Sequence, residues 1–181
     1  MLRKIPALIG CIVLALACAA CSRTENKPPE APNVSSTGSP KPVPDAEPPA
    51  DVVRVSAPEV QLPAGGAAEA SVSVQIAKGY HINGNPASKF QIATTLDVAK
   101  DEGITISKPV YPAAMTKKFS FSDEPITVYE GEAVIKQSLR AAANATKGAR
   151  VLRGKLKVQP CDDHVCYPPR TLDVSLPIVV K

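Results

Sequence analysis

Apolar and polar residues alternate with a period of two along four short stretches: residues 70–76 (ASVSVQI), 103–107 (GITIS), 152–158 (LRGKLKV) and 172–176 (LDVSL). Residues 91–98 and 132–139 follow a looser version of the same pattern. Successive side chains of an extended chain point to opposite faces, so each stretch predicts a strand with one face on a core and one in water. Turn formers separate the stretches: Ala64-Gly65-Gly66, Gly79, Asn83-Gly84, Asp101-Glu102-Gly103 and Lys147-Gly148. Residues 140–145 (RAAANA) predict at most one helical turn. There is no internal repeat. About seven or eight short strands over residues 51–181 predict an all-β domain, an immunoglobulin-like antiparallel β-sandwich.

Ahead of residue 51 the pattern is different. Arg3 and Lys4 precede an uncharged apolar run, residues 5–20. That run is shorter than the ~20 apolar residues of a comfortable membrane span and fits the core of an export signal. Ala19 and Ala20 lead into Cys21, and polar Ser22, Arg23 and Thr24 follow. Residues 1–21 therefore resemble a bacterial lipoprotein signal with Cys21 as the lipidated residue and Cys18 as the alternative. An ordinary cleaved signal or an uncleaved anchor are the other readings. All of them put the domain outside the cytoplasm, where disulfides persist. Residues 22–50 are rich in Pro, Ser, Glu, Lys and Asn. Such a composition buries too little apolar surface to offset the entropy of ordering, so these residues are expected to form a disordered tether. Its prolines favour extended polyproline geometry, at ~3 Å per residue.

Composition sharpens this picture in two places. Aromatic residues are 4% of the chain and tryptophan is absent, so the core must rest on Val, Ile, Leu and Ala. The net charge is +4 with the basic residues scattered. No basic stripe interleaved with aromatics exists, which excludes a nucleic-acid partner.

The five cysteines divide by position. Cys11, Cys18 and Cys21 fall in the leading segment, leaving Cys161 and Cys166 as the pair available to the domain. They stand in Gln159-Pro160-Cys161-Asp162-Asp163-His164-Val165-Cys166-Tyr167-Pro168-Pro169, between two predicted strands. This spacing lets the sulfurs meet across a tight turn, where a disulfide needs Cα atoms within ~7 Å. A bridge over so small a loop adds only ~2 kcal/mol in the chain-entropy model. It opens and closes without unfolding a sandwich, which favours a redox pair over a staple. A metal site is the third reading: Cys161, His164 and Cys166, with Asp162, Asp163 or His81, are zinc or copper ligand types. The absence of a second cysteine pair speaks against it, and no metal or other cofactor is assigned. Carboxylates near a thiol raise its pKa and a protonated histidine lowers it, so Asp162, Asp163 and His164 are candidate tuning residues. The aspartates disfavour a Cys161 thiolate, and Pro168 and Pro169 stiffen the chain after Cys166. Both point to Cys166 as the attacking sulfur.

The cysteine stretch, with its Tyr167-Pro168-Pro169 tail and the strand that follows, resembles the amino-terminal domain of the thiol:disulfide interchange protein DsbD. Further motifs agree in order: Gly79-Tyr80-His81-Ile82-Asn83, then Tyr111-Pro112, Phe119-Ser120-Phe121 and Tyr129-Glu130-Gly131. The resemblance runs from about Val53 to the end. It implies an immunoglobulin-like sandwich and a protein-disulfide reductase component that relays electrons by thiol–disulfide exchange. It implies that Cys166 carries the bond to a partner and Cys161 resolves it. In that family an aromatic cap shields the pair; Tyr129 is its best match here, with Tyr167 packing beside the nucleophile. The turn between the cysteines is shorter than in the family's best-known members. No hydrophobic helices and no C-x-x-C domain follow within the 181 residues. The electron source is therefore expected on a separate chain, a membrane-embedded thiol reductant or a thioredoxin-like domain. Periplasmic thioredoxin-like disulfide proteins are the expected acceptors, with a lipid anchor holding the domain at the membrane. A non-catalytic immunoglobulin-like binding module with a structural disulfide is the alternative.

Overall fold

The structure, a computed structural model, describes residues 47–181. The expected signal segment 1–21, Cys21 included, and tether residues 22–46 lie outside the described residues. In chain order the strands are β1 (Val53–Ser56), β2 (Val60–Leu62), β3 (Ala67–Ile76), β4 (His81–Asn83), β5 (Thr95–Val98) and β6 (Ile104–Ile106). Then come β7 (Met115–Lys117), β8 (Ile126–Tyr129), β9 (Glu132–Ala141), β10 (Gly148–Val158), β11 (Pro160–Cys161) and β12 (Arg170–Val180). Among the described residues there is no helix.

Two four-stranded sheets make the sandwich, in the orders β1-β3-β9-β6 and β2-β12-β10-β5. The alternation places Val72 and Val74 of β3, Ile135 and Leu139 of β9, Leu152 and Leu156 of β10, and Leu176 and Ile178 of β12 in the core between them. Their neighbours in sequence face water. One pairing departs from the antiparallel rule, since β2 runs parallel to β12. The chain leaves β1 in one sheet and enters β2 in the other through Ala57-Pro58. Proline offers no N–H and restricts the residue before it, so a ladder ends naturally there.

A third, smaller sheet, β11-β4-β8-β7, forms where the β3–β9 ribbon bends. β4 follows β3 through Gly79, and β8 runs into β9 through Gly131. Both glycines have positive φ, 85° and 65°, with open space where a Cβ would stand. The requirement is thus conformational rather than steric. Across the bend the Ile76 N–H donates to Gly131 O at 2.7 Å. The ribbon resumes as the β4–β8 pair, which meets β11 at the end of β10.

Two expected elements differ. The helical turn at residues 140–145 does not form. β9 continues through Ala141 because Arg140 stays in register with Ala67 and the Ala141 N–H donates to Gly66 O. A turn closed by Ala145 N–H to Ala142 O follows it. Within residues 91–98 only Thr95–Val98 is strand. The preceding backbone is held by side chains instead: Asn83 Nδ2 donates to Ile92 O and Asn85 Nδ2 to Thr94 O.

Leu156 on β10 is fully buried, whereas Val151 on the same strand is 44% exposed. Leu156→Ala should therefore cost about 2–5 kcal/mol of unfolding free energy. Val151→Ala should stay within about 0.5 kcal/mol. Urea denaturation of both variants measures the difference.

Candidate redox site

The site is the connection of the β10–β12 hairpin. These strands pair from Gly148↔Val180 to Val158↔Arg170. Beyond them the two arms meet again at Cys161↔Cys166. Two residues, 159 and 160, separate these pairings on one arm, and three, 167 to 169, on the other. The extra residue makes a β-bulge, which re-aims the side chains that follow it. It is built from Pro168 and Pro169, which have no N–H to leave unpaired. Pairing past the bulge is set by two bonds, Tyr167 N–H to Pro160 O and Asp162 N–H to Val165 O, both 2.9 Å. Cys161 and Cys166 lie opposite each other between these bonds, with Cα atoms 4.0 Å apart, and their sulfurs are joined as a disulfide.

The pair is buried: Cys161 is 0% exposed and Cys166 1%. Cys161 is the inner partner, since β11 pairs with β4 and sets Cys161 opposite His81. Directly opposed residues of an antiparallel pair project to the same face. His81 is itself buried, and its ring stacks on Phe119 at 4.1 Å. Phe121 stacks in turn on Phe119 at 5.2 Å. Both phenylalanines sit in the loop between β7 and β8, whose Ser120 hydroxyl donates to Asp163 O at 2.9 Å. That bond ties the phenylalanine loop to the turn carrying the cysteines.

Burial holds the His81 imidazole below its usual 6.5, against the pull of the Glu130 and Asp163 carboxylates. Its Nε2 has no hydrogen-bond partner. Tyr129 stands opposite Ile82, the residue after His81. It belongs to the core on β8, receives a hydrogen bond from Asn85 N–H, and lies 3.1 Å from Pro112 O as donor. Phe119 and Phe121 reach the site by stacking on His81. Their sequence signal was present as Phe119-Ser120-Phe121, but nothing in it ranked these rings above Tyr129. His81 was visible as a metal-ligand type and as a member of the Gly79–Asn83 motif, neither of which set it opposite Cys161.

Within the turn, Asp162 Oδ1 accepts the N–H groups of His164 and Val165, at 2.8 and 2.9 Å. Its Oδ2 accepts the Tyr167 hydroxyl at 2.8 Å. Desolvation raises the Asp162 pKa, but these three bonds outweigh it and hold the carboxyl below its usual value. The same hydroxyl bond, with some burial, pushes Tyr167 up to about 12. Gln159 Nε2 donates to Tyr167 O at 3.1 Å, and Asn83 Nδ2 donates to Gln159 Oε1 at 3.1 Å. Asp163 and His164 are exposed. Among the described residues no group of three or more His, Cys, Asp and Glu side chains is placed to hold a metal ion. The arrangement offers one two-electron couple, the Cys161–Cys166 pair.

Comparison with known proteins agrees with that chemistry. The family described as thiol:disulfide interchange protein DsbD, N-terminal, matches residues 47–177. Among solved structures, the N-terminal periplasmic domain of ScsB from Proteus mirabilis is 18% identical with a TM-score of 0.48. The likeness covers 68% of this chain, which spans 44% of that one. A type I cohesin–dockerin complex from Clostridium thermocellum is 11% identical with a TM-score of 0.41, covering 76% of this chain and 99% of that one. The major pilin subunit BcpA of Bacillus cereus is 8% identical with a TM-score of 0.38, covering 71% and 40%. Comparison with curated proteins gives no match. The family match, rather than these structural likenesses, places the chain.

His81 gives the site a pH signature. Its folded pKa lies below the unfolded value, so as pH drops the folded state takes up fewer protons than the unfolded state. Its contribution to stability is complete above ~6.5 and is lost as pH falls through the folded value. Urea midpoints should fall more steeply between about pH 7 and about pH 5 in the wild type than in His81→Gln. Parallel slopes would show that folding leaves the His81 pKa unshifted.

Proposed function

Because the chain belongs to the family of DsbD amino-terminal domains, matched over residues 47–177, we propose that Cys161 and Cys166 relay electrons to exported proteins by thiol–disulfide exchange. The observation that carries this reading is the buried cross-strand cysteine pair at the tip of the β10–β12 hairpin. A staple gains most by joining distant parts of a fold, whereas this one closes a sequence separation of five.

In the reduced domain the Cys166 thiolate attacks a partner's disulfide. One partner sulfur leaves as a thiolate, and a mixed disulfide joins Cys166 to the other. The Cys161 thiolate then attacks Cys166 Sγ, re-forms the intramolecular bond and releases the partner as a dithiol. Two electrons have moved outward. A membrane-embedded thiol system, or a thioredoxin-like domain on a separate chain, restores the dithiol. The position of Cys166 supports its role as attacker. It pairs with β11 at the outer end of the small sheet, while Cys161 lies between Cys166 and β4. The cap is assigned to Phe119 and Phe121 rather than Tyr129. The Ser120–Asp163 bond is its latch, and the loop must lift for a partner to reach sulfur.

The domain acts on the periplasmic side of the cell envelope as residues 51–181, held to the membrane through lipid on Cys21 and the tether 22–50. Cys21→Ser should abolish lipid labelling and release the protein from membranes. Labelling that persists in Cys21→Ser and disappears on changing Cys18 would move the anchor to Cys18.

The exchange mechanism predicts an asymmetry between the cysteines. Cys161→Ser should accumulate a mixed disulfide through Cys166 with a thioredoxin-like protein, and Cys166→Ser far less. Mass spectrometry of non-reduced complexes separates the two. Equal trapping would defeat the role assignment, and no trapping in either would make the bond a structural bridge in a binding module. Ser120→Ala should speed alkylation of the reduced pair several-fold by freeing the latch, because exposed thiolates react fastest.

A further inference from the structure

The Cys161–Cys166 turn is held closed by a set of bonds that contain no sulfur. Two are main-chain bonds, Tyr167 N–H to Pro160 O and Asp162 N–H to Val165 O. Three converge on one carboxylate, Asp162, from His164 N–H, Val165 N–H and Tyr167 O–H. A sixth ties the ends of the turn, Gln159 Nε2 to Tyr167 O. Gln159 is buried, and its Oε1 is anchored by Asn83, whose Nδ2 also reaches Ile92 O. Reducing the disulfide adds two electrons and two protons to the sulfurs and breaks none of these bonds. The two thiols of the reduced domain therefore stay opposed on adjacent strands.

Holding two reacting groups in place converts ring closure into a step whose orientational entropy is already spent. A braced dithiol closes readily, so the equilibrium lies toward the disulfide and the domain gives its electrons away. Resting on the exchange reading above, the geometry points to Asp162 as a positioning residue that makes this cysteine pair a strong electron donor. It acts through the brace it forms with Tyr167 across the base of the turn. Asp162 is thus more than a charge beside a thiol. A purely electrostatic effect works by disfavouring a thiolate, and it fades at a pH where both thiols are protonated. A positional effect persists there. The groups that face the turn are Asp163 and His164 within it, and Glu130 and Lys117 on the flank of His81. Of the six bonds they supply one main-chain N–H, that of His164, and no side chain.

The test is the equilibrium with glutathione, in which dithiol and oxidised glutathione give the Cys161–Cys166 disulfide and two reduced glutathiones. It is read by thiol trapping at about pH 6.5 and about pH 7.5, both below the usual thiol pKa of ~8.5. Asp162→Ala should lower the constant for disulfide formation about tenfold, which is ~30 mV for a two-electron couple. Tyr167→Phe, which removes one hydroxyl and no charge, should lower it about threefold, in keeping with the modest net value of one hydrogen bond. Asp162→Asn keeps an oxygen for the main-chain N–H groups and should fall between wild type and Asp162→Ala. Shifts of equal size at the two pH values support the brace. Unchanged constants in Tyr167→Phe and Asp162→Asn overturn it, as does a shift confined to the higher pH. Tyr167→Phe decides the matter should Asp162→Ala fail to fold. A wild-type pair that never exchanges with glutathione would instead sink the exchange reading itself.

Discussion

The register between β10 and β12 is the constraint on which the site depends. Side chains alternate along a strand, so a slip of one residue would turn Leu152, Leu156 and Val158 out of the core. The same buried set that locks the hairpin therefore locks its tip. The Pro168-Pro169 bulge then shifts the pairing by one residue, and this shift brings Cys166, instead of Tyr167, opposite Cys161. Core packing and redox geometry are in this sense one arrangement, with the bulge as the joint between them.

The surroundings of the pair are assembled from the other end of the sandwich. The β3–β9 ribbon bends at Gly79 and Gly131 and supplies β4 and β8, so His81 reaches Cys161 from a strand some eighty residues earlier. β8 in turn presents β7 and the phenylalanine loop. Beneath the turn, Asn83 and Gln159 form a polar link in an otherwise apolar setting. A buried polar network of this kind stiffens a site when its members are satisfied. It costs stability where they are not, as at Asn83 Oδ1 and His81 Nε2. The disulfide thus sits on supports that belong to both the long hairpin and the small sheet.

Asp162 and Asp163, adjacent residues of one type, are engaged differently. Two aspartates beside a cysteine read first as charges that raise a thiol pKa. In the folded chain one of them spends its oxygens on His164, Val165 and Tyr167, while Asp163 stays exposed and lends its main-chain carbonyl to Ser120. Adjacent residues of the same type thus bond within the turn in one case and to the β7–β8 loop in the other.

The sequence by itself determined the long strands, the sandwich and the cysteine pair. Period-two alternation is unambiguous over ten or eleven residues, as in β3, β9, β10 and β12. Two cysteines five positions apart between such strands have little choice but to meet. Tertiary structure alone decided the third sheet and everything it brings to the sulfurs. β4 and β7 have three residues each and β11 two, too few for a period to register. β4 is covered on both faces and β7 exposed throughout, so neither alternates at all. The stacking of Phe119 on His81 and the burial of His81 follow from pairings between residues far apart in the chain. Those pairings come into being only when the ribbon bends and the hairpin closes against it.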